Sequence, residues 1–278
     1  MNPQHVLPQI VLRLWPFPRG AGRIADKLFF YSGLRFEGDI ATIKTTDGFY
    51  MSVMPNELIG RHLYLIGEFD RSTVEILLKL SKPGDVLLDI GANVGYVSGC
   101  FLQRVPRSSV IAVEPQPQVA CLLRENLARF EADRSIVIEA AISDADGNGR
   151  MQVISWNLGR SSLVKEASAN TVEVAVWSAR RLLESAPGRI NLVKIDVEGH
   201  EAVVLDALKD GLATHRPRAV LFEDHTKSAA PGGVIRRIFD DLGYRVFGIC
   251  KKLTKLKLCE IHSIDECTCN DYVAQLVG

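Results

Sequence analysis

The stretch from Val86 to Tyr96 constrains the fold of this chain more than any other. Val86–Ile90 is a short apolar run that ends in turn residues, which is typical of a buried β-strand. Gly91 and Gly95 allow the backbone to turn tightly and to approach a ligand closely. The segment Val97–Val105 has helical character, and the start of such a helix offers unpaired N–H groups to polar ligand atoms. A strand, a glycine-containing turn and a helix in this order predict half of a nucleotide-binding unit.

Two acidic residues indicate which nucleotide the unit binds. Asp89 precedes the first glycine in the pattern Asp-x-Gly-x-Asn-x-Gly, whose asparagine is Asn93. At the end of a strand, Asp89 can face the positively charged amino and sulfonium groups of S-adenosylmethionine. Glu114 lies about 20 residues after the first glycine, where an acid can accept hydrogen bonds from two ribose hydroxyls. The sequence therefore predicts a cofactor site formed by Asp89, Gly91, Asn93, Gly95 and Glu114, with an NAD-type site or a ligand-free turn as the alternatives.

Composition and charge narrow the classes of partner. The chain has 278 residues, of which 47% are hydrophobic and 24% charged, and its formal net charge is zero. This is ordinary globular composition, with enough length for one large α/β domain and extensions. A neutral chain without a basic run gives no support to a nucleic-acid partner. No apolar run approaches the roughly 20 residues that span a bilayer, so we expect no transmembrane segment.

The N-terminal residues, up to about Ile24, contain prolines and scattered arginines. They lack the apolar core and the cleavage site of a signal peptide. Within them, the run Val11–Phe17 is open to two interpretations. It is either a peripheral contact with a membrane or a tail that packs on the domain.

The six cysteines do not resemble a disulfide framework, and reduced thiols are the default in a cytoplasmic protein. Cys250, Cys259, Cys267 and Cys269 cluster near the end of the chain. Their spacing lacks the paired Cys-x2-Cys signature of a zinc site. We therefore expect a cytoplasmic protein without a bound metal.

Strands and helices alternate regularly after residue 82, which implies a mostly parallel sheet covered on both faces. The predicted strands are Val86–Ile90, Ser109–Glu114, Ser135–Ile142, Ile190–Asp196, Ala219–Glu223, Tyr244–Gly248 and Tyr272–Ala274. We expect an inserted antiparallel pair of strands at Arg150–Ser155 and Thr171–Trp177. The segment Lys251–Asn270 is expected to be a surface excursion, a loop that leaves the sheet between the last two strands. Residues 1–81 are expected to form a small cap, with a hairpin around Asp47–Gly48. Residues 82–278 are expected to form the cofactor-binding domain.

Polar residues at the carboxyl ends of these strands are the candidates for chemistry, because ligands of open α/β sheets bind at that edge. Asp196, Glu198 and His200 follow one buried strand and are predicted to be catalytic, with Glu201 binding the acceptor. A histidine whose ordinary pKa is near 6.5 suits a general base. The alternative is that Glu198 and Glu201 only stabilise a helix N-terminus and that His200 is structural.

Four further polar residues lie at the same edge. Ser143 and Asp144, in the polar loop after the third strand, either contact the adenine or only form a turn. Glu223 ends the strand that follows Asp196 along the chain. Ser161 lies in the polar loop Asn157–Leu163. We expect Glu223 and Ser161 to contribute to acceptor binding.

Together these segments resemble the FkbM family of S-adenosylmethionine-dependent methyltransferases, over roughly residues 40 to 275. The matching runs are Asp89–Gly95, Glu114–Pro115, Ala141–Gly147, Gly159–Leu163, Lys194–Glu201 and Pro217–Glu223. The glycine motif alone indicates only a class I methyltransferase, whereas Lys194–Glu201 is more specific. The resemblance implies a Rossmann-like, mostly parallel sheet of seven strands whose last strand is antiparallel.

The same resemblance implies O-methylation of a hydroxyl on a sugar, glycolipid or secondary metabolite, with S-adenosylmethionine as cofactor. Two alternatives stay open. The chain could methylate a macromolecule, RNA or protein, or it could be a non-catalytic binding module on the same fold. The presence of Asp89, Gly91, Gly95 and Glu114 argues against the binding module.

Overall fold

The computed structural model describes residues 3–15, 20–31, 36, 38–154, 157–164, 170–251 and 256–277. The helices are α1 (Pro3–Arg13), α2 (Ala21–Tyr31), α3 (Leu58–Ile66), α4 (Arg71–Leu80), α5 (Tyr96–Arg104), α6 (Pro117–Leu127), α7 (Ala179–Glu184), α8 (Glu201–Ala207), α9 (Lys209–His215) and α10 (Val234–Asp241). The strands are β1 (Ala41–Lys44), β2 (Tyr50–Val53), β3 (Val86–Ile90), β4 (Ser109–Val113), β5 (Ser135–Ile138), β6 (Ala141–Ser143), β7 (Gly147–Gln152), β8 (Ser162–Val164), β9 (Thr171–Ser178), β10 (Leu192–Ile195), β11 (Ala219–Glu223), β12 (Tyr244–Lys251), β13 (Leu256–Glu260) and β14 (Asp271–Leu276). The ends of the predicted segments Val11–Phe17 and Arg150–Ser155 lie outside the described residues.

The main sheet has the strand order β13-β12-β14-β11-β10-β3-β4-β5. β5, β4, β3, β10 and β11 are mutually parallel, and β14 runs antiparallel between β11 and β12. The central strands are nearly continuous apolar runs, as expected where helices cover both faces of a sheet. The predicted seven-stranded class I fold with an antiparallel last strand is therefore confirmed. An eighth strand, β13, pairs with the edge strand β12 and comes from the segment expected to be a surface excursion.

A second sheet has four strands, in the order β6-β9-β7-β8. Its antiparallel pair β7–β9 is the predicted insertion. The predicted strand Ser135–Ile142 is divided, since β5 ends at Ile138 in the main sheet and β6 joins the second sheet. The predicted polar loop after Ser143 is shorter than expected because β7 begins at Gly147.

The hairpin β1–β2 packs against the main domain. Asp47, in its turn, accepts hydrogen bonds from the Tyr96 hydroxyl at 3.0 Å and from Arg104 Nη1 at 2.9 Å. Phe49 lies in the same buried hydrophobic cluster as Leu87 of β3. The hairpin therefore shares the core of the sheet.

The first helices pack on α3. Arg61 of α3 is buried, and its Nη2 donates to Asp26 Oδ1 of α2 at 2.9 Å. Its guanidinium also lies 4.2 Å from the centroid of the Phe29 ring. The division of the chain into a cap and a domain near residue 81 stays a prediction. Within the described part of the chain, none of the helices has the length and apolar character needed to cross a membrane.

Candidate functional site

A cavity of about 440 Å³ lies at the carboxyl ends of the parallel strands. Pockets for cofactors and drug-sized ligands have volumes of roughly 300–1,000 Å³. The turn after β3, the end of β4, the connection between β10 and α8, and the N-terminal ends of α3 and α4 all line it. Segments that are distant in the sequence thus form one site, at the edge where open α/β sheets bind ligands.

The glycines of the turn after β3 have positive φ angles and close neighbours. Gly91 has a φ of 78°, and a Cβ atom on it would lie 1.8 Å from the carbonyl oxygen of Asp196. Gly95 has a φ of 87°, and its Cβ would lie 2.6 Å from Leu123 Cδ1. Gly91 therefore has no space for a side chain, because its Cβ would meet backbone, and the positive φ of Gly95 favours glycine there as well. Gly91 and Asn93 line the cavity, whereas Gly95 packs behind it on α6.

The N–H groups of this turn are already bonded within the protein. Those of Gly91 and Ala92 both donate to the carbonyl oxygen of Val113 at 2.9 Å. The N–H of Val94 donates to Asn93 Oδ1 at 2.8 Å. The end of β4 and the Asn93 side chain therefore supply the acceptors of these N–H groups. The predicted unpaired donors at the start of the following helix stay a prediction.

Glu114 is buried at the end of β4 and lines the cavity. Its Oε2 accepts a hydrogen bond from the N–H of Asn93 at 3.1 Å, and its Oε1 accepts one from the N–H of Gln116 at 3.0 Å. Burial raises the pKa of Glu114 to about 7, although these two hydrogen bonds act in the opposite direction. Each carboxylate oxygen has a second lone pair. The group is thus held in place by the backbone and can still accept hydrogen bonds from a ligand.

An apolar wall lines the same cavity. It consists of Val113, Ala140, Ile142, Met151, Leu158 and Leu163. Gln116 Nε2 donates to the carbonyl oxygen of Leu158 at 3.0 Å and so holds the 157–161 loop near the end of β4. Ser161, a predicted acceptor-binding residue, is a buried member of that loop and lines the cavity. Its Oγ accepts a hydrogen bond from the N–H of Ile154 at 3.3 Å.

Asp89 is fully buried and is not part of the cavity lining. Its Oδ2 accepts a hydrogen bond from Ser98 Oγ at 2.7 Å, and its Oδ1 lies 3.3 Å from Lys194 Nζ. This position differs from the predicted one, in which the carboxylate faces the cofactor. The reason is that a buried carboxylate needs charged and hydrogen-bonding partners. Lys194 of β10 and Ser98 of α5 supply them.

Lys194 occupies the middle of β10 and is 5% exposed. Its Nζ donates to the carbonyl oxygen of Gly91 at 2.9 Å and lies 3.4 Å from Asp196 Oδ2. Burial alone lowers the pKa of Lys194, but the carboxylates of Asp89, Asp196 and Asp70 raise it above its ordinary value. The ammonium therefore stays charged and connects the glycine turn to the end of β10. A lysine within an apolar strand is the sequence signal for such a role.

Carboxylates are concentrated in another part of the cavity lining. They are Asp70, Asp196, Glu198, Glu223 and Asp271. Burial raises the pKa of Glu223 to about 8, and the neighbouring carboxylates of Asp196 and Asp271 contribute. Burial also raises the pKa of Asp70 to about 7, with a contribution from Asp271. Sequence reasoning missed Asp70 and Asp271, since Asp70 precedes α4 and Asp271 begins β14, and the position of both elements against β11 depends on long-range packing.

The residues between β10 and α8 form a tight turn. Glu201 is buried, and its Oε1 accepts hydrogen bonds from the N–H groups of Val197 at 3.2 Å and Gly199 at 3.1 Å. Glu198 has a φ of 49° and lines the cavity. Glu201 therefore stabilises the turn through its backbone N–H groups. This role differs from the predicted contact with the acceptor. Glu198, in contrast, lines the cavity.

His200 is partly buried and lines the cavity. Its Nε2 lies 3.2 Å from Ser143 Oγ, which donates to Asp144 Oδ1 at 3.1 Å. Burial lowers the pKa of His200, although Glu201 and Asp144 act in the opposite direction. Ser143 and Asp144, predicted near the adenine, are not part of the cavity lining and instead support the histidine.

One group of possible metal ligands lies at this edge among the described residues. Glu198, Glu223 and His225 have ligand atoms within 4.8 Å of one another. His225 Nε2 lies 3.0 Å from Glu223 Oε1, and the imidazole is exposed. Where the chain is described, the C-terminal cysteines form no such group.

Comparison with known proteins identifies related enzymes. The model of the methyltransferase FkbM domain matches residues 89–246. The 2-O-methyltransferase NoeI of Sinorhizobium fredii is 31% identical over 163 residues, which cover 51% of this chain and 65% of NoeI. The hexuronic acid methyltransferase AglP of Haloferax volcanii is 29% identical over 162 residues, which cover 58% of this chain and 64% of AglP. The 31-O-demethyl-FK506 methyltransferase FkbM of Streptomyces tacrolimicus is 29% identical over 185 residues, which cover 55% of this chain and 70% of that methyltransferase. The chain thus spans just under two thirds of the first two relatives.

The family match covers more than half of the chain and begins at Asp89, at the end of the strand before the glycine turn. It includes Glu114 and the whole run Lys194–Glu201, which carried the resemblance in the sequence. These are the segments that form the turn, the carboxylate and the polar edge of the cavity. The chain therefore belongs to the FkbM family of S-adenosylmethionine-dependent methyltransferases.

Proposed function

We propose that this protein transfers a methyl group from S-adenosylmethionine to a hydroxyl oxygen of a sugar, glycolipid or secondary metabolite. One observation carries the proposal: a single cavity holds the fixed carboxylate of Glu114 and an apolar wall, together with Asp196 and His200. The names of two relatives specify transfer to oxygen, 2-O in NoeI and 31-O in FkbM, and AglP is named for a hexuronic acid. These names support an oxygen acceptor and a carbohydrate substrate.

The residues present fit the cofactor. Glu114 has lone pairs left for the two ribose hydroxyls, and the wall around Ile142 and Leu158 suits an adenine ring. The backbone of Gly91 approaches Asp196 so closely that no side chain intervenes between the turn and β10. We assign the methionine end of the cofactor to this region, near Asn93 and Asp196. When bound, S-adenosylmethionine supplies an electrophilic methyl group.

We assign activation of the acceptor to His200 and Asp196. A hydroxyl is a poor nucleophile at neutral pH and needs a nearby base. Because burial lowers the pKa of His200, its imidazole is neutral at pH 7 and can accept the hydroxyl proton. Glu198 and Glu223 would then accept hydrogen bonds from further hydroxyls of the acceptor. Positioning the acceptor in this way supplies much of the rate enhancement in a direct displacement.

The charge of the cavity favours a small hydroxylated acceptor over RNA. Six carboxyl groups line it, whereas Lys194 is bonded to Asp89 and Asp196, and Lys251 Nζ lies 2.5 Å from Asp271 Oδ2. Such a surface repels phosphate groups. We also place the reaction in the cytoplasm, where the six free thiols would stay reduced.

Transfer of a labelled methyl group to fractionated glycans and small molecules from the source cell tests the proposal. We expect His200→Gln to bind S-adenosylmethionine normally in calorimetry, and we expect both His200→Gln and Asp196→Asn to lose roughly 100-fold or more in kcat. His262→Gln is the matched control, since His262 is exposed and remote from the cavity lining. Parent rates in both site variants would show that the catalytic assignment is wrong. Cofactor binding without transfer to any hydroxyl compound would contradict O-methylation.

A further inference from the structure

Helix α1 has one face docked on the rest of the protein. Leu12 is 1% exposed in a small hydrophobic cluster with residues of α2 and α3. Gln9 Nε2 donates to the carbonyl oxygen of Tyr64 at 3.0 Å, and Arg13 Nη1 donates to that of Lys44 at 2.9 Å. Within the predicted run Val11–Phe17, Leu12 and Arg13 therefore contact the rest of the protein.

The opposite face of α1 is apolar and exposed. It consists of Val6, Leu7, Ile10 and Val11 and continues in Leu14 directly after the helix, with exposed fractions of 37%, 69%, 52%, 51% and 76%. These positions recur at the three- and four-residue intervals that place side chains on one side of a helix. The two most exposed residues, Leu7 and Leu14, lie two turns apart at the centre of this stripe. The outward face of α1 is therefore an apolar surface of five side chains.

The N-terminal segment that carries this surface is basic in sequence. The segment 3–31 contains Arg13, Arg19, Arg23 and Lys27 but only one acid, Asp26, although the whole chain has a net charge of zero. Arg23 and Lys27 are exposed and one turn apart on α2, which packs against α1. The carboxylate of Asp26 does not neutralise the charges of Arg23 and Lys27, because it binds the buried Arg61 and the partly buried His62.

We propose that the outward face of α1, with Arg23 and Lys27 of α2, docks the protein on an anionic phospholipid bilayer. An apolar helical face accompanied by Lys and Arg is the pattern of helices that lie in the membrane interface. An anionic leaflet attracts the basic residues while the acyl boundary takes up the apolar stripe. A second copy of the chain fits less well, since a symmetric contact would bring the two basic segments together. The proposal is independent of the proposed methyl transfer.

Flotation with lipid vesicles tests it on the full chain. Vesicles of phosphatidylcholine with about one third phosphatidylglycerol should carry the protein, and high salt or phosphatidylcholine alone should weaken binding. Leu7→Glu/Leu14→Glu should lower the partition coefficient about tenfold or more. Arg23→Glu/Lys27→Glu should lower the partition coefficient by a similar factor on the anionic vesicles but not on vesicles of phosphatidylcholine alone. Val234→Glu/Ile264→Glu is the matched control, since these residues are 48% and 55% exposed on other elements.

All four substituted leucine and basic positions are exposed, so circular dichroism should show folded variants. Retention of vesicle binding by Leu7→Glu/Leu14→Glu, or its loss in the control, would overturn the proposal. So would the absence of binding of the parent protein to the anionic vesicles. If light scattering showed a dimer that the leucine variant dissociates, without vesicle binding, the face would be a contact between copies and the proposal would also fail.

Discussion

Lys194 lies between Asp89 and Asp196 and donates to the carbonyl oxygen of Gly91, so its ammonium compensates a fully buried carboxylate. In Lys194→Met, Asp89 would keep the hydroxyl of Ser98 but lose its counter-charge. Removal of one partner of a buried ion pair costs about 3–5 kcal/mol. We expect the free energy of unfolding, measured by urea denaturation, to fall by that amount.

Lys209→Met is the matched control for this substitution. Lys209 Nζ lies 2.7 Å from Asp241 Oδ2, but both side chains are largely exposed. Loss of such a pair changes stability by less than about 1 kcal/mol. A similar loss in both variants would contradict the organising role of Lys194.

Glu223 should make the stability of the protein depend on pH. Burial and neighbouring carboxylates raise its pKa in the folded state to about 8, against an ordinary value of 4.5. Between these values the folded state binds more protons than the unfolded state, so stability falls as pH rises through this window. In Glu223→Gln the fall should be smaller, and the variant should be more stable than the parent at pH 8 by about 1–3 kcal/mol.

The measurement is the free energy of unfolding of both proteins at pH 4 and pH 8. At pH 4 the two should agree, because Glu223 is then protonated in both states. Glu184→Gln, at an exposed position on α7, should follow the parent at both values. A variant that is less stable than the parent at pH 8 would show that the Glu223 carboxylate is stabilising.

The sequence identifies which side chains carry charge near the sheet edge, but not which way each one points. Glu114, Glu198 and Glu223 line the cavity as expected, whereas Asp89 and Glu201 turn into the protein. The difference arises from partners. The ammonium that attracts Asp89 belongs to Lys194 of β10, which is far from Asp89 in the sequence. The N–H groups that bind Glu201 point at its carboxylate only after the turn has formed.

At the scale of elements, the contact between the glycine turn and the end of β10 leaves no space for a side chain. A Cβ on Gly91 would lie 1.8 Å from the Asp196 carbonyl oxygen, so Gly91→Ala must separate the two elements. We expect a loss of about 3 kcal/mol or more in urea denaturation, and loss of S-adenosylmethionine binding in calorimetry.

Gly84→Ala isolates the effect of backbone conformation. Gly84 has a φ of 84°, close to that of Gly91, but its Cβ would meet no atom within 4 Å. Its cost should be only the roughly 1–2 kcal/mol of a left-handed conformation, with cofactor binding preserved. Equal effects of the two substitutions would contradict the steric explanation.

Asn126 joins three elements that the sequence does not show to be neighbours. From α6, its side chain accepts a hydrogen bond from the N–H of Ser52 and donates to the carbonyl oxygens of Ser52 in β2 and Val94 in the glycine turn. Asn126→Ala leaves these buried groups unsatisfied, at a cost of about 2–4 kcal/mol. The exposed Asn148→Ala is the control in thermal denaturation, and a comparable decrease there would contradict this role.

The sequence predicts most strands of the main sheet and the helix after the glycine turn within a few residues, because each has its own apolar pattern. It does not predict where a strand changes partners. Ser135–Ile142 reads as one apolar run, yet β5 pairs with β4 and β6 pairs with β9. The edge strand β13 was also missed, since it forms by pairing with β12. Both differences depend on contacts between distant segments.

At the scale of the whole molecule, the cavity joins parts of the chain from Leu58 to Tyr272. Ile59 of α3, Thr73 of α4 and Asp70 directly before α4 line it, so the segment before residue 81 helps to form the site. The hairpin before these helices shares the core of the main sheet. A ligand in this cavity therefore contacts both parts of the chain, and its binding should stabilise the cooperative fold as a whole.

S-adenosylmethionine should accordingly raise the thermal unfolding temperature of the intact protein. At about 100 times its Kd, a ligand that binds only the folded state adds about 2.7 kcal/mol, or roughly 5–10 °C for a chain of this size. Calorimetric scans should show this increase in the parent protein and a much smaller one in Glu114→Ala, which loses the acceptor for the ribose hydroxyls. NAD at the same concentration is the control for the dinucleotide alternative and should give no increase. A larger shift with NAD than with S-adenosylmethionine, or equal shifts in the parent and Glu114→Ala, would contradict the assignment of Glu114 to this cofactor.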